Sequence, residues 1–104
     1  MNIPNAYKDA ILPALDLTWR REDGEYVDLT GATLTGRLYN KGTASAKDIT
    51  GTLSITKPVQ GRFNWNKSAG DVDTAGQYLV QFKATYSSGS EYSIPDAWEV
   101  LTPL

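Results

Sequence analysis

Catalysis and metal binding draw on a small set of side chains, and this sequence lacks two of the most used. Among its 104 residues there is no histidine and no cysteine. Serine and cysteine triads of the usual kind, zinc and iron–sulfur ligation, and disulfide stapling are thereby excluded. Without cysteine, the redox compartment is not legible. No Gly-rich phosphate loop follows a strand and opens a helix. Catalysis would have to rest on carboxylates, lysine or tyrosine, and the expectation is a protein that is not an enzyme and needs no cofactor.

Two carboxylate clusters invite chemistry. Asp71-Val72-Asp73-Thr74-Ala75-Gly76 has the clustered oxygens that hard cations favour. An EF-hand loop begun at Asp71 would place Ala75 and Phe82 at its fifth and twelfth positions, where oxygen ligands are required, so no metal site is assigned. The favoured reading is that these aspartates cap and solvate a turn. Glu22-Asp23-Gly24-Glu25 puts three carboxylates into one tight turn. Glycosidase carboxylates face each other across a cleft, so this cluster reads as a solvated hairpin loop.

Aromatic residues offer a third chemistry. Trp19, Trp65 and Trp98, with Tyr26, Tyr39, Tyr86 and Tyr92, could form a platform for sugar rings. Trp19 and Trp65 fall in phase with Leu17 and Phe63, which places them in a core. Tyr39 is out of phase with Leu34 and Leu38 and is the aromatic expected at the surface.

The elements that position these residues alternate apolar and polar side chains, and helical spacing is almost absent. Expected strands run over Leu15–Arg20, Ala32–Asn40, Ile49–Ile55, Gly61–Asn66, Gln77–Tyr86, Glu91–Ile94 and Ala97–Leu101, with a short extended piece at Tyr26–Leu29. Asp23-Gly24 and Ser87-Ser88-Gly89-Ser90 mark hairpin turns, and Lys41 to Lys47 reads as a flexible loop. Gly36, inside a strand, suggests a bulge or a close backbone neighbour. Short strands at regular spacing indicate an all-β fold, an antiparallel β-sandwich of about seven strands over residues 15–104. Residues 1–14 form an N-terminal arm, extended or short-helical. Asn5 could cap a turn carrying Tyr7, Ala10 and Ile11 on one face, stopped by Pro13.

One domain accounts for the length, and 40% apolar with 21% charged residues suffices for a core. A net charge of −2 without a Lys/Arg cluster argues against nucleic acid or an anionic membrane surface as partner. No apolar run reaches the ~18 residues needed to span a bilayer, and the first residues lack the plan of a secretory signal.

An Asp and a small residue just before a strand's first inward Tyr suggest the tyrosine corner of Greek-key sandwiches, in which the hydroxyl bonds to backbone at the preceding corner. Tyr78 is the candidate, with Asp73 ahead of it and Gly76 allowing the sharp approach.

Four segments together carry a family resemblance. Val27-Asp28-Leu29-Thr30-Gly31-Ala32-Thr33-Leu34 resembles the segment that opens the N-terminal immunoglobulin-like domain of the phage baseplate upper protein family. Gly61-Arg62-Phe63-Asn64-Trp65 resembles its Gly-x-aromatic-x-Trp strand, and Gly70 to Tyr78 its Asp- and Gly-containing corner. Phe82-Lys83-Ala84-Thr85-Tyr86, followed by Gly89 and Ile94-Pro95, resembles its ending. The resemblance covers residues 15 to 101, in order and at similar spacing. It implies an immunoglobulin-like antiparallel β-sandwich and a virion structural protein, made in the bacterial host cytoplasm, that docks onto other virion proteins and onto copies of itself. Family members carry this domain at the front of a longer chain. With nothing after Leu104, the expected placements include tail, baseplate, neck and capsid surface.

Ile3, Tyr7, Ile11 and Leu12 at one end, and Leu101 and Leu104 at the other, lie outside the alternating pattern. With Tyr39 they are the candidate partner-binding residues, one or both termini lying against neighbouring subunits. The competing expectation is that the arm folds back on its own sandwich. A glycan on the host surface is the alternative partner.

Overall fold

A computed structural model describes residues 1–104. Nine strands run in order: β1 (Ala6–Tyr7), β2 (Leu15–Thr18), β3 (Thr33–Asn40), β4 (Ser45–Asp48), β5 (Thr52–Lys57), β6 (Arg62–Asn66), β7 (Gly76–Tyr86), β8 (Gly89–Tyr92) and β9 (Asp96–Leu101). They form two sheets packed as an immunoglobulin-like β-sandwich. The larger has the order β1-β9-β7-β3-β4, with β8 also on β7, and the smaller has the order β2-β6-β5. Every pairing is antiparallel except that of β1 with β9. No helix is long and apolar enough to cross a membrane.

β7 organises the larger sheet. Tyr78, Val80, Phe82 and Ala84 alternate inward and are buried, while Gln77, Leu79, Gln81 and Lys83 face outward. β3 lies along one edge of β7; β9 and then β8 share the other. From the smaller sheet, Leu15, Leu17, Phe63 and Trp65 complete the core. The sheets meet through aromatics: Phe63 packs edge-on against Phe82 at 5.0 Å, and Trp65 lies 4.8 Å from Trp98. Fully burying side chains of this kind stabilises by about 1.5–3 kcal/mol each. Val27 and Leu29 are also fully buried; their segment forms no named strand, but besides the Arg20–Tyr26 bridge Val27 N–H donates to the Trp19 carbonyl at 3.1 Å and Leu29 N–H to the Pro58 carbonyl at 2.9 Å.

Several expectations change. No helical turn forms in the arm: Asn5 Oδ1 accepts from the Glu99 backbone N–H at 3.1 Å, and Ala6–Tyr7 pair in parallel with Val100–Leu101. A strand edge, not a helix start, takes the capping oxygen. Residues 41–47 are not wholly loop, because Ser45–Asp48 form β4 against β3 after a turn in which Ala44 adopts φ 54°. Ile49 follows that strand rather than beginning β5. Gly36 makes no bulge, as β3 stays in continuous register with β7; a Cβ there would stand 2.6 Å from Ile49 Cδ1 and 3.0 Å from a Phe82 ring carbon. The glycine accommodates side chains, not a neighbouring backbone.

Candidate functional site

Side-chain hydrogen bonds concentrate at the corner before β7. Tyr78 Oη donates to the Thr74 carbonyl at 2.6 Å, fixing the corner to the sheet. Gly76, at φ 150°, begins β7 beneath it. Asp73 stands outside that bond. It accepts from Lys47 Nζ at 2.9 Å and from Thr74 Oγ1 at 3.0 Å. The Lys47 and Thr74 hydrogen bonds hold its carboxyl below the usual carboxylate range.

Sequence reasoning treated Asp71 as a solvated turn residue, but it is completely buried. One carboxylate oxygen accepts from the Thr50 backbone N–H at 2.9 Å. The other accepts from the backbone N–H of Gly51 at 3.0 Å, that of Ser68 at 3.1 Å and the indole of Trp65 at 3.1 Å. Thr50 and Ser68 hydroxyls bond to each other beside it. Donors therefore surround both oxygens, an environment built for a carboxylate and opposite to that of a cation. Asp71 joins the loop before β5 to the loop after β6. Gly51 permits the approach, since a Cβ there would lie 2.2 Å from the Asn66 carbonyl and 2.6 Å from Asp71. Lys67, in the same corner, is also buried, and burial lowers its pKa.

The charged hairpin of Glu22, Asp23 and Glu25 is exposed. Its neighbour Arg21 reaches across to Glu91 with two hydrogen bonds, at 2.8 and 3.0 Å. This ties the hairpin to β8 and brings Glu91 to the same depression as Glu22 and Asp23, with its carboxylate held in the ion pair with Arg21.

The terminal residues divide into two groups. Ile3 is buried at 6% exposure against the chain's own core, so it leaves the candidate partner-binding set. The arm is held by Trp98 Nε1 donating to the Pro4 carbonyl at 2.9 Å and by the N-terminal ammonium, 3.3 Å from Asp96. The arm thus folds back on its own sandwich as far as Asp9, whose backbone N–H donates to the Val72 carbonyl at 2.8 Å. Tyr7 itself is exposed and in register with half-buried Leu101; both point away from the core. Ile11, Leu12 and Leu104 are exposed as well, Leu12 at 79%.

Tyr7, Leu101 and Tyr39 share the outer face of the larger sheet. Its centre is an apolar row that sequence reasoning missed: Ala46 on β4 opposes Tyr39 on β3, which opposes Leu79 on β7, which opposes Ala97 on β9. Leu79 occupies the polar phase of β7, and Tyr39 the polar phase of β3. That coincidence was the available signal, readable only once the register is known. Arg37, Tyr39, Ala46, Leu79, Gln81 and Pro95 line a groove of about 330 Å³ there. Trp19, Trp65 and Trp98 are all buried, so no tryptophan contributes to this surface.

No family model matches the chain, and no curated protein matches it.

Proposed function

We propose that this chain is a non-enzymatic virion structural protein, an immunoglobulin-like docking module assembled into the tail, baseplate, neck or capsid surface of a phage. The order and spacing of the four segments resembling the baseplate upper protein family support this reading. The observation that carries it is the convergence of Tyr7 and Leu101 on one outward sheet face, with exposed Ile11, Leu12 and Leu104 in the adjoining terminal segments. Exposed apolar side chains gathered on one face of a small sandwich favour burial against another protein. The partners proposed are other virion proteins.

Cross-linking mass spectrometry on purified intact particles tests this. Lys8 follows β1 directly, and Lys41 lies exposed after β3, so both report on this face. Links from Lys8 to tail or capsid proteins are the expected result. Absence of the protein from particles, or its presence without links to other proteins, would overturn the reading.

The second reading is a carbohydrate-binding sandwich that aids adhesion to host glycans. Exposed Tyr39, with Arg37 and Gln81 beside it in the groove, is the feature that favours it. Glycan-array binding abolished by Tyr39→Ala would support it over docking.

A further inference from the structure

We infer that the outer face of the larger sheet is a self-association surface on which a second copy of this chain packs about a twofold axis running along β7. This deepens the docking reading by naming one partner and its surface, while resting on features of the isolated chain. Outward positions of an antiparallel sheet are ordinarily polar. Here a continuous apolar row, Ala46–Tyr39–Leu79–Ala97, crosses four strands.

The row is self-complementary in size. A twofold axis parallel to β7 in the contact plane places β3 of one copy over β9 of the other, with each row meeting itself. Leu79 then meets Leu79 of the second copy, and the large Tyr39 ring meets the small Ala97 on both sides. This is the reciprocal matching an isologous interface requires.

The adjacent row is complementary in charge. Lys41 donates its backbone N–H to the Gln77 carbonyl on one side of β7, and Glu99 pairs with Gln77 on the other. All three border one depression of about 300 Å³. Neither Lys41 nor Glu99 forms an ion pair within its own chain, unlike Arg37, which pairs with Asp48 at 3.4 Å. The same twofold axis sets Lys41 over Glu99 of the second copy, twice per dimer. On the opposite flank Lys83, which the axis would bring toward its own counterpart, leans over the Tyr92 ring at 5.4 Å, toward β8. Sheets packed in this way lie about 10 Å apart with their side chains interlocking.

The test uses the full chain, free of particles, in sedimentation equilibrium across a concentration series. Wild type is expected to dimerise. Lys41→Glu and Glu99→Lys should each raise the dissociation constant by about tenfold or more, equivalent to ~1.4 kcal/mol or more. The double reversal should recover most of that loss. Because the chain has no cysteine, Leu79→Cys introduces a single thiol on the axis. Under mild oxidation it should form a covalent dimer faster than Ser88→Cys at the distant β7–β8 turn. An unchanged melting temperature establishes that each variant folds. A wild type that stays monomeric at high concentration, single reversals without effect, or equal cross-linking at positions 79 and 88 would each overturn the inference. Glycan binding at Tyr39 by a monomeric chain would do so as well. Lys8 links to other proteins in particles would stand regardless, so the two readings fail separately.

Discussion

The indole N–H of Trp65 donates to the carboxylate of Asp71 at 3.1 Å, and neither residue is accessible to solvent. Trp65 is central to the aromatic core, and Asp71 holds two loops, so the bond couples the interior of the sandwich to its corner. In the low-dielectric interior such a network is strong when fully satisfied and costly when a member is removed.

Asp71→Ala should therefore lower unfolding free energy by about 3–5 kcal/mol, because it leaves the N–H groups of Thr50, Gly51 and Ser68 and the Trp65 indole without an acceptor. Asp71→Asn should be nearly as damaging. Its amide NH₂ must point at the Thr50 donor or at the cluster of three. Urea titrations followed by tryptophan fluorescence measure both.

Removing the corner bond is a milder change. Tyr78→Phe keeps the buried ring but leaves the Thr74 carbonyl without its donor. A loss of about 1 kcal/mol is expected, or ~4–8 °C in melting temperature for a domain of this size. Differential scanning calorimetry would register it.

Two glycines should differ sharply in their response to alanine. Gly51→Ala drives a Cβ into the Asn66 carbonyl and Asp71, and should cost more than about 2 kcal/mol. At Gly42 a Cβ would meet only Asn40 Oδ1, at 3.4 Å, and Gly42→Ala should stay within about 0.5 kcal/mol of wild type. Equal losses would show that the close approach at Gly51 is not what fixes this corner.

Lys67 is buried without an ion pair, and burial lowers its pKa below the ordinary 10.5. The unfolded chain then binds more protons than the folded one between the folded-state value and 10.5. Stability contributed by this group must rise with pH across that window. Lys67→Met should be more stable than wild type at neutral pH, and its advantage should shrink toward pH 10.5. Paired denaturation curves at neutral and alkaline pH check the sign.

Asp73 works in the other direction. Its depressed pKa adds stability that is present above the ordinary value of 3.8 and lost as pH falls through the folded-state value. The Lys47–Asp73 pair is exposed to solvent, so the difference between wild type and Asp73→Asn should be within about 1 kcal/mol. It should vanish in strong acid, as thermal melts across the acid range would reveal.

The alternation of β7 made its buried face legible from sequence alone: Tyr78, Val80, Phe82 and Ala84 needed no neighbour to reveal their phase. β4 was not legible, because Ser45, Ala46, Lys47 and Asp48 carry no apolar alternation, and the strand exists by pairing with β3. Asp71 was misread for a related reason. Its donors come from four residues, Thr50, Gly51, Trp65 and Ser68, which only the tertiary fold brings together. Of the two forms expected for the arm, the extended one is found: Asn5 can cap a helix equally well in isolation, but the edge of β9 claims its side chain. The outer apolar row lay in plain view as two residues out of phase, Tyr39 and Leu79. Strand register was what made them neighbours.

The pairing of β1 with β9 has a consequence for the order of events during synthesis. Strands β2, β5 and β6 all lie before residue 67, so the smaller sheet can assemble early. Its apolar side, with Leu17, Phe63 and Trp65, lacks the core side chains Val80 and Phe82 until β7 emerges. The N-terminal arm waits longest. Its parallel register with Val100 and Leu101 spans nearly the whole chain, a long loop to close before the contact gives any return. Ile3, Pro4 and Ala6 would therefore dock last, and until then Trp98 and the edge of β9 stand open. Premature encounters between nascent chains would fall on that edge, making it the place where a chaperone or an assembly partner would be most effective.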